Sequence, residues 1–290
     1  MLVGLIYFLV YVKLIGRIYD EDINILKKSY VWFFLGIVFI LNFSSGVNGV
    51  RWPLGLMVFS FGALNLLTQN KIKYLLIAAL SILIHFSFIG AVASLLVFYY
   101  IPIFRNTNVL LVFAAFALVT GTVFSTLIFS NAGFLGEVIQ DKLSDYTGEG
   151  YVEDRAKNIS SWNFYVPIAS FGTYFFSIGV LFVMWFKQKK MNRNHVTNQL
   201  YGFAILMAAI SFIANAIVDL STNRYTLIVS FLTLVFLIYM GSINKNSKTL
   251  KYLAYIYAPI IILKALLIIR VDWETVSLVL LTNPIFLLFQ

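Results

Sequence analysis

The sequence predicts an all-α polytopic integral membrane protein, a single membrane domain over residues 1–290 with about 9–11 transmembrane helices. Three observations carry that reading. Apolar residues make up 61% of the 290 and charged residues only 11%, against roughly 25% charged in an ordinary soluble domain. Mean hydropathy is +0.89. The apolar residues gather into ten segments, cut by short polar interruptions. Cysteine is absent and only His85 and His195 are histidines, which excludes disulfide frameworks, thiolate nucleophiles and Cys- or His-rich metal centres.

A hydrocarbon layer roughly 30 Å thick takes roughly 20 helical residues to cross. Cut at its polar interruptions, the chain gives Leu2–Leu14, Tyr30–Phe43, Pro53–Leu67, Tyr74–Phe104, Val109–Phe129, Trp162–Phe186, Leu200–Val218, Tyr225–Met240, Tyr252–Ile269 and Val276–Phe289. The first segment has neither a basic leader nor a small-residue cleavage site, so it reads as a retained helix. No repeat and no Gly/Ser- or Pro-rich linker divides the chain.

Charge sets the orientation. With Lys13–Lys28, Lys71–Lys73, Arg105, Lys187–Arg193 and Lys245–Lys251 on the cytoplasmic side, 14 of 21 basic residues lie inside and nine of twelve acids outside. Retention of Lys and Arg in cytoplasmic loops accounts for the net charge of +9 without any nucleic acid. This topology puts both flanks of residues 74–104 inside. That run is long for one crossing and short for two, so it reads as a hairpin interrupted near His85–Gly90, where a histidine, a serine and a glycine cluster. A broken helix survives at membrane depth only where protein or water covers its freed backbone groups, so the break marks a lined cavity.

Candidate site residues follow from this topology. Arg51 precedes Trp52-Pro53 at an outer helix start, and Arg224 stands in Ser221-Thr222-Asn223-Arg224-Tyr225 at another. Helix N-termini and guanidinium groups both favour phosphate; the bland alternative is an arginine snorkelling to the interface. Asp219 is either a structural partner for Arg224 or a base. His85, at the hairpin's outer tip, is a proton acceptor on the same side, or a helix-to-helix hydrogen bond and nothing more. Residues Asn131–Ser161 form a long outer loop, with an amphipathic stretch at Phe134–Leu143 and candidates Asp154 and Arg155, readable as a lid. Lys187–Arg193 reads as an anchor against anionic lipid heads. Asp20-Glu21-Asp22 matches a sugar-transferase DxD only formally, as a solvated turn, and phosphate-loop, HExxH and GxSxG motifs are absent.

Several of these residues stand in short motifs. Asn48-Gly49-Val50-Arg51-Trp52-Pro53-Leu54, Ile84-His85-Phe86-Ser87 and Asn223-Arg224-Tyr225 resemble the EpsG family of exopolysaccharide polymerases, relatives of the Wzy O-antigen polymerases. The first is similar to the family's Asn-x-x-Arg-Gln helix start, with Trp52-Pro53 replacing the Gln-containing pair, and the second to its Phe-His-x-Ser. The resemblance covers about residues 30–290 and leaves the chain without the family's N-terminal external region. It implies a multi-pass protein of the bacterial cytoplasmic membrane that joins polyprenyl-diphosphate-linked oligosaccharides on the outer face. Arg51 and Arg224 would hold the diphosphate, and His85 or Asp219 would accept a proton. Asn48, Trp52, Asn223, Tyr225, Asp154 and Arg155 would contact substrate. No cofactor and no metal is implied; the partners are the lipid-linked oligosaccharide, membrane lipid and other polysaccharide-assembly proteins. A flippase for the same lipid is the main alternative, and an acyltransferase the third.

Overall fold

The computed structural model describes residues 2–19, 30–41, 51–130, 165–188, 190–217, 224–244 and 246–282. These hold ten α-helices and, among the described residues, no strand: α1 (Leu2–Tyr19), α2 (Val31–Ile40), α3 (Arg51–Gln69), α4 (Lys73–Ile84), α5 (Ile89–Tyr100), α6 (Thr107–Ser130), α7 (Tyr165–Lys187), α8 (His195–Ile217), α9 (Tyr225–Ile243) and α10 (Lys248–Thr282). The spans His195–Asn215, Tyr225–Ile243 and Lys248–Ile269 are long and apolar enough to cross a bilayer, and shorter apolar helices stand beside them. The protein is an all-α polytopic membrane protein.

Helix α9 is the central post. From Thr226 to Gly241 it is buried on nearly every face, as expected of a helix that is hydrophobic all round, and α2, α3, α7 and α8 pack around it. Apolar side chains on the periphery form stripes at helical spacing: Leu76, Leu80 and Leu83 on α4, and Val112, Phe116 and Val119 on α6, are all exposed. Such stripes face lipid, where their exposure costs nothing.

The helix ends separate by charge. Arg17 at the end of α1 donates from Nε to Asn65 Oδ1 at 3.0 Å near the end of α3. Leu66 and Asn70, Tyr99, Arg105, and His195 and Gln199 line one small cavity. Asn192 and Asn244 clasp each other, Asn244 Nδ2 donating to the Asn192 carbonyl at 2.9 Å. The segments read as basic loops therefore meet at one end of the bundle. A polar cap starts α8 there. Asn194 Oδ1 accepts from the Thr197 N–H at 2.9 Å and Thr197 Oγ1 from the Asn194 N–H at 3.0 Å, a reciprocal cap of α8. Asn70, with φ 55°, makes the left-handed turn between α3 and α4, a conformation asparagine tolerates better than most residues.

The interrupted hairpin is present. Helix α4 rises from the basic end, breaks at His85, passes through a 3₁₀ turn at Phe86–Phe88 and returns as α5, whose last turn reaches the cavity shared with Asn70. Each limb has 12 residues, about 18 Å at a rise of 1.5 Å per residue, so the 31-residue run makes two short crossings. Close approach of α3 and α4 is made at Gly62, where a Cβ would strike the backbone nitrogen of Ala78.

Two sequence expectations need correction. The segments Tyr252–Ile269 and Val276–Phe289 are not separated by a loop through Arg270–Glu274: α10 continues unbroken from Lys248 to Thr282, with Pro259 inside it. At 35 residues it is roughly 50 Å long and outreaches the hydrocarbon, so its polar turn needs no helix break. Helix α3 begins at Arg51, two residues before Pro53, which sits within the first turn, where its missing N–H has no helical partner to lose.

Gly62→Leu is expected to lower the melting temperature of the detergent-solubilised protein, by overpacking worth about 1–3 kcal/mol. Gly179→Ala, where an added Cβ meets nothing within 4 Å, is the control and should leave it unchanged or higher.

Candidate functional site

At the end of the bundle opposite the basic loops, three elements converge: the first turn of α3, the hairpin break, and the first residues of α9. The break is locally encoded. His85 is extended, with φ −153° and ψ 120°, and its own N–H still donates to the Ser81 carbonyl as the last bond of α4. Ser87 then competes for the chain's direction, its Oγ lying 2.8 Å from His85 Nδ1 and its N–H 3.2 Å from the same nitrogen. Serine side chains that bind locally in this way compete with helix continuation.

The central contact is between Arg224 and His85: Arg224 Nη1 donates to His85 Nε2 at 2.7 Å, across 139 residues of sequence. A guanidinium only donates, so with Arg224 in place Nε2 is the accepting nitrogen. The Ser87 N–H faces Nδ1 as a second donor; a neutral ring has one accepting nitrogen, so Arg224 and the Ser87 N–H compete for the imidazole, and while Arg224 holds Nε2 the Ser87 hydroxyl oxygen is the acceptor beside Nδ1. Withdrawal of Arg224 would leave Nε2 as an open acceptor.

Aromatic rings hold this pair in place. Arg224 lies 5.6 Å from the centre of the Trp52 ring, within cation–π reach. Trp52 stacks on Phe88 at 5.8 Å, and Phe88 packs in turn on Phe59 at 5.9 Å. Gly55 makes room for Phe88, since a Cβ there would come within 2.7 Å of its ring. The imidazole of His85 stacks on Phe86 at 5.2 Å. Tyr225 OH donates to the Ser87 carbonyl at 3.1 Å, covering one backbone acceptor that the break has freed. The Trp52 indole N–H is buried without a hydrogen-bond partner. Buried donors are almost always satisfied, so this one is an exception close to Arg224.

Of the residues singled out from sequence, His85, Arg224, Trp52 and Tyr225 share this cluster. Arg51 is exposed at the first residue of α3, next to Trp52; it stands at the same end of the bundle but outside the His85–Arg224 contact. Asn48, Asp154, Arg155, Asp219 and Asn223 lie outside the described residues, as do Asp20–Asp22 and the loop with its Phe134–Leu143 stretch. Three contributors were not singled out as site residues: Ser87, which contests Nδ1; Phe88, the ring beneath Trp52; and Gly90, where a Cβ would lie 2.5 Å from Tyr225 OH. The His-x-Ser spacing was the available signal for Ser87. Nothing in the sequence pointed to the ring stack.

Basic loops at one end of a helical bundle and an arginine–histidine pair at the other define a polytopic membrane protein with a polar cluster away from its basic loops. The sequence profile of the EpsG family matches residues 1–277, and the chain belongs to that family, whose role is of the polysaccharide-polymerase type. The match reaches the first residue, where the motif resemblance began only near residue 30. No curated protein and no solved structure matches the chain.

Gly90→Ala is expected to destabilise the protein by pushing Tyr225 away from Ser87. Adding Tyr225→Phe should recover part of that loss, because the atom the new methyl meets first is the hydroxyl oxygen. Melting temperatures of the two single variants and the double variant check this; simple additivity would contradict it.

Proposed function

We propose that the protein is a membrane polysaccharide polymerase, a metal-independent glycosyltransferase of the Wzy type. It joins polyprenyl-diphosphate-linked oligosaccharide units on the outer face of the bacterial cytoplasmic membrane. Orientation follows from the positive-inside rule, which assigns the basic end to the cytoplasm and the Arg224–His85 end to the opposite face. Family membership supports the general role. The observation that carries the site-level reading is the 2.7 Å contact between Arg224 Nη1 and His85 Nε2, beside the unsatisfied Trp52 N–H.

The chemistry uses these groups as follows. An acceptor hydroxyl attacks the donor sugar's C1, the C1–O bond to the diphosphate breaks, and negative charge grows on the departing diphosphate. Arg224, with Arg51 at the neighbouring helix start, stabilises that charge. As Arg224 turns to the phosphate oxygens it releases His85 Nε2, which takes the proton of the attacking hydroxyl. Ser87 Oγ accepts from Nδ1–H and steadies the imidazolium that results. The Trp52 N–H donates to a sugar or phosphate oxygen. Anion binding thereby exposes the base, which couples proton uptake to the presence of donor.

Arg224→Ala, His85→Ala and Arg51→Ala variants, matched for abundance in the membrane, test this through the chain-length distribution of surface polysaccharide. Arg224→Ala and His85→Ala are each expected to lose polymerisation by about 100-fold or more while single repeat units still reach the surface. Loss of all exported material would instead identify a flippase, and unchanged chain lengths would overturn the reading.

A further inference from the structure

The bundle carries a cavity system whose lining residues are separate from Arg224 and His85. Between α6, α7 and α8 a groove of about 510 Å³ opens to the lipid-facing side, lined by Leu111, Ala115 and Leu118, by Phe182 and Trp185, and by Ala208. Its walls are almost wholly apolar, and its volume falls within the usual range for small-molecule sites, about 300–1,000 Å³. Toward the basic end the same three helices frame a polar cavity of about 550 Å³, lined by Arg105, Thr107, Gln188, Asn192, Arg193 and Asn198. The two are stacked. Thr107 in the polar cavity and Asn108 in the groove are consecutive, and Gln188 follows Trp185 by one turn.

Both arginines are fixed before any ligand arrives. Arg193 donates from Nη2 to the Met184 carbonyl at 2.7 Å and lies over the Tyr201 ring at 4.3 Å. Arg105 donates from Nη2 to the Tyr99 carbonyl and from Nε to that of Phe98 at 3.4 Å. Burial lowers the pKa of the Arg193 guanidinium, with Tyr201 opposing, so a nearby anion would relieve a desolvated cation. Little acid competes for the position: of the twelve acids, only Asp20, Glu21 and Asp22 belong to a chain segment that begins at this end.

We infer that this composite cavity is a binding site for one anionic phospholipid. An acyl chain lies in the groove between α6, α7 and α8, and the phosphate lies between Arg105 and Arg193. Charge complementarity selects the occupant. Two preset guanidinium groups at headgroup level, with amide donors from Gln188, Asn192 and Asn198, match a phosphodiester, and the apolar slot above them matches the chain attached to it. Basic pockets between transmembrane helices on the cytoplasmic side hold lipid headgroups by the same physics. The inference is independent of the polymerase reading, because its residues are separate from the Arg224–His85 cluster.

Native mass spectrometry of the full-length protein in detergent tests it. Three probes are used: phosphatidylglycerol, phosphatidylcholine with the same acyl chains, and chainless glycerol 1-phosphate. The expected result is retention of one phosphatidylglycerol at about tenfold or more over phosphatidylcholine, with no competition from glycerol 1-phosphate. Arg193→Gln should reduce that retention by about tenfold. Ala115→Trp, which fills the groove from the lipid-facing side and leaves the cations in place, should do the same without lowering the melting temperature in lipid-free detergent. Equal retention of the two lipids, effective competition by glycerol 1-phosphate, or full retention in Ala115→Trp would each overturn the inference.

Discussion

The bundle depends on what covers the break at His85. Inside a membrane a chain cannot leave helical geometry without stranding backbone donors and acceptors, and each stranded group costs several kcal/mol. Here the 3₁₀ turn at Phe86–Phe88 is held from outside its own hairpin: Tyr225 OH takes the Ser87 carbonyl at 3.1 Å, and Arg224 takes the imidazole. Both come from the start of α9, the most enclosed helix of the bundle. The post that organises the packing thus also delivers the polar groups that make the break tolerable.

That arrangement gives the pair its chemical character. An arginine placed against a histidine nitrogen bars a proton from that nitrogen, because two donors would then face each other. The Nε2 lone pair is occupied by the guanidinium. Trp52 adds a further constraint: its ring supports Arg224 from one face, while its N–H is left without a partner. The same few contacts hold the break and the pair, so polar substitutions at this end change stability as well and need matched controls for abundance.

Much of this organisation could be read from residue order. A 31-residue apolar run flanked by basic residues on both sides admits few topologies; charge counting called for a hairpin, and the cluster of histidine, serine and glycine at His85–Gly90 placed its break. His85 was identifiable because a titratable group is rare in an apolar run, and Arg224 because it stands at an outer helix start. Their direct contact was not, since 139 residues separate them and only the packing of α9 against the hairpin brings them together. The ring stack of Trp52, Phe88 and Phe59 was hidden for a related reason: in a chain this rich in aromatics, no single ring stands out. The continuity of α10 was misread because Arg270, Asp272 and Glu274 look like a loop in sequence. Charges end a transmembrane span without ending a helix, and helical geometry carries on into the polar layer. Asp219, Asp154 and Arg155 fall outside the described residues.

The central claim is that Arg224 and His85 act as one unit, and a double-mutant cycle on polymerisation rate addresses it most directly. The rate is measured for the wild type, His85→Ala, Arg224→Ala and the double variant at equal membrane abundance. If the two act together, the double variant should be about as slow as the slower single variant, with a coupling of several-fold or more in rate. If their effects multiply, the two side chains work independently and the contact between them carries no function.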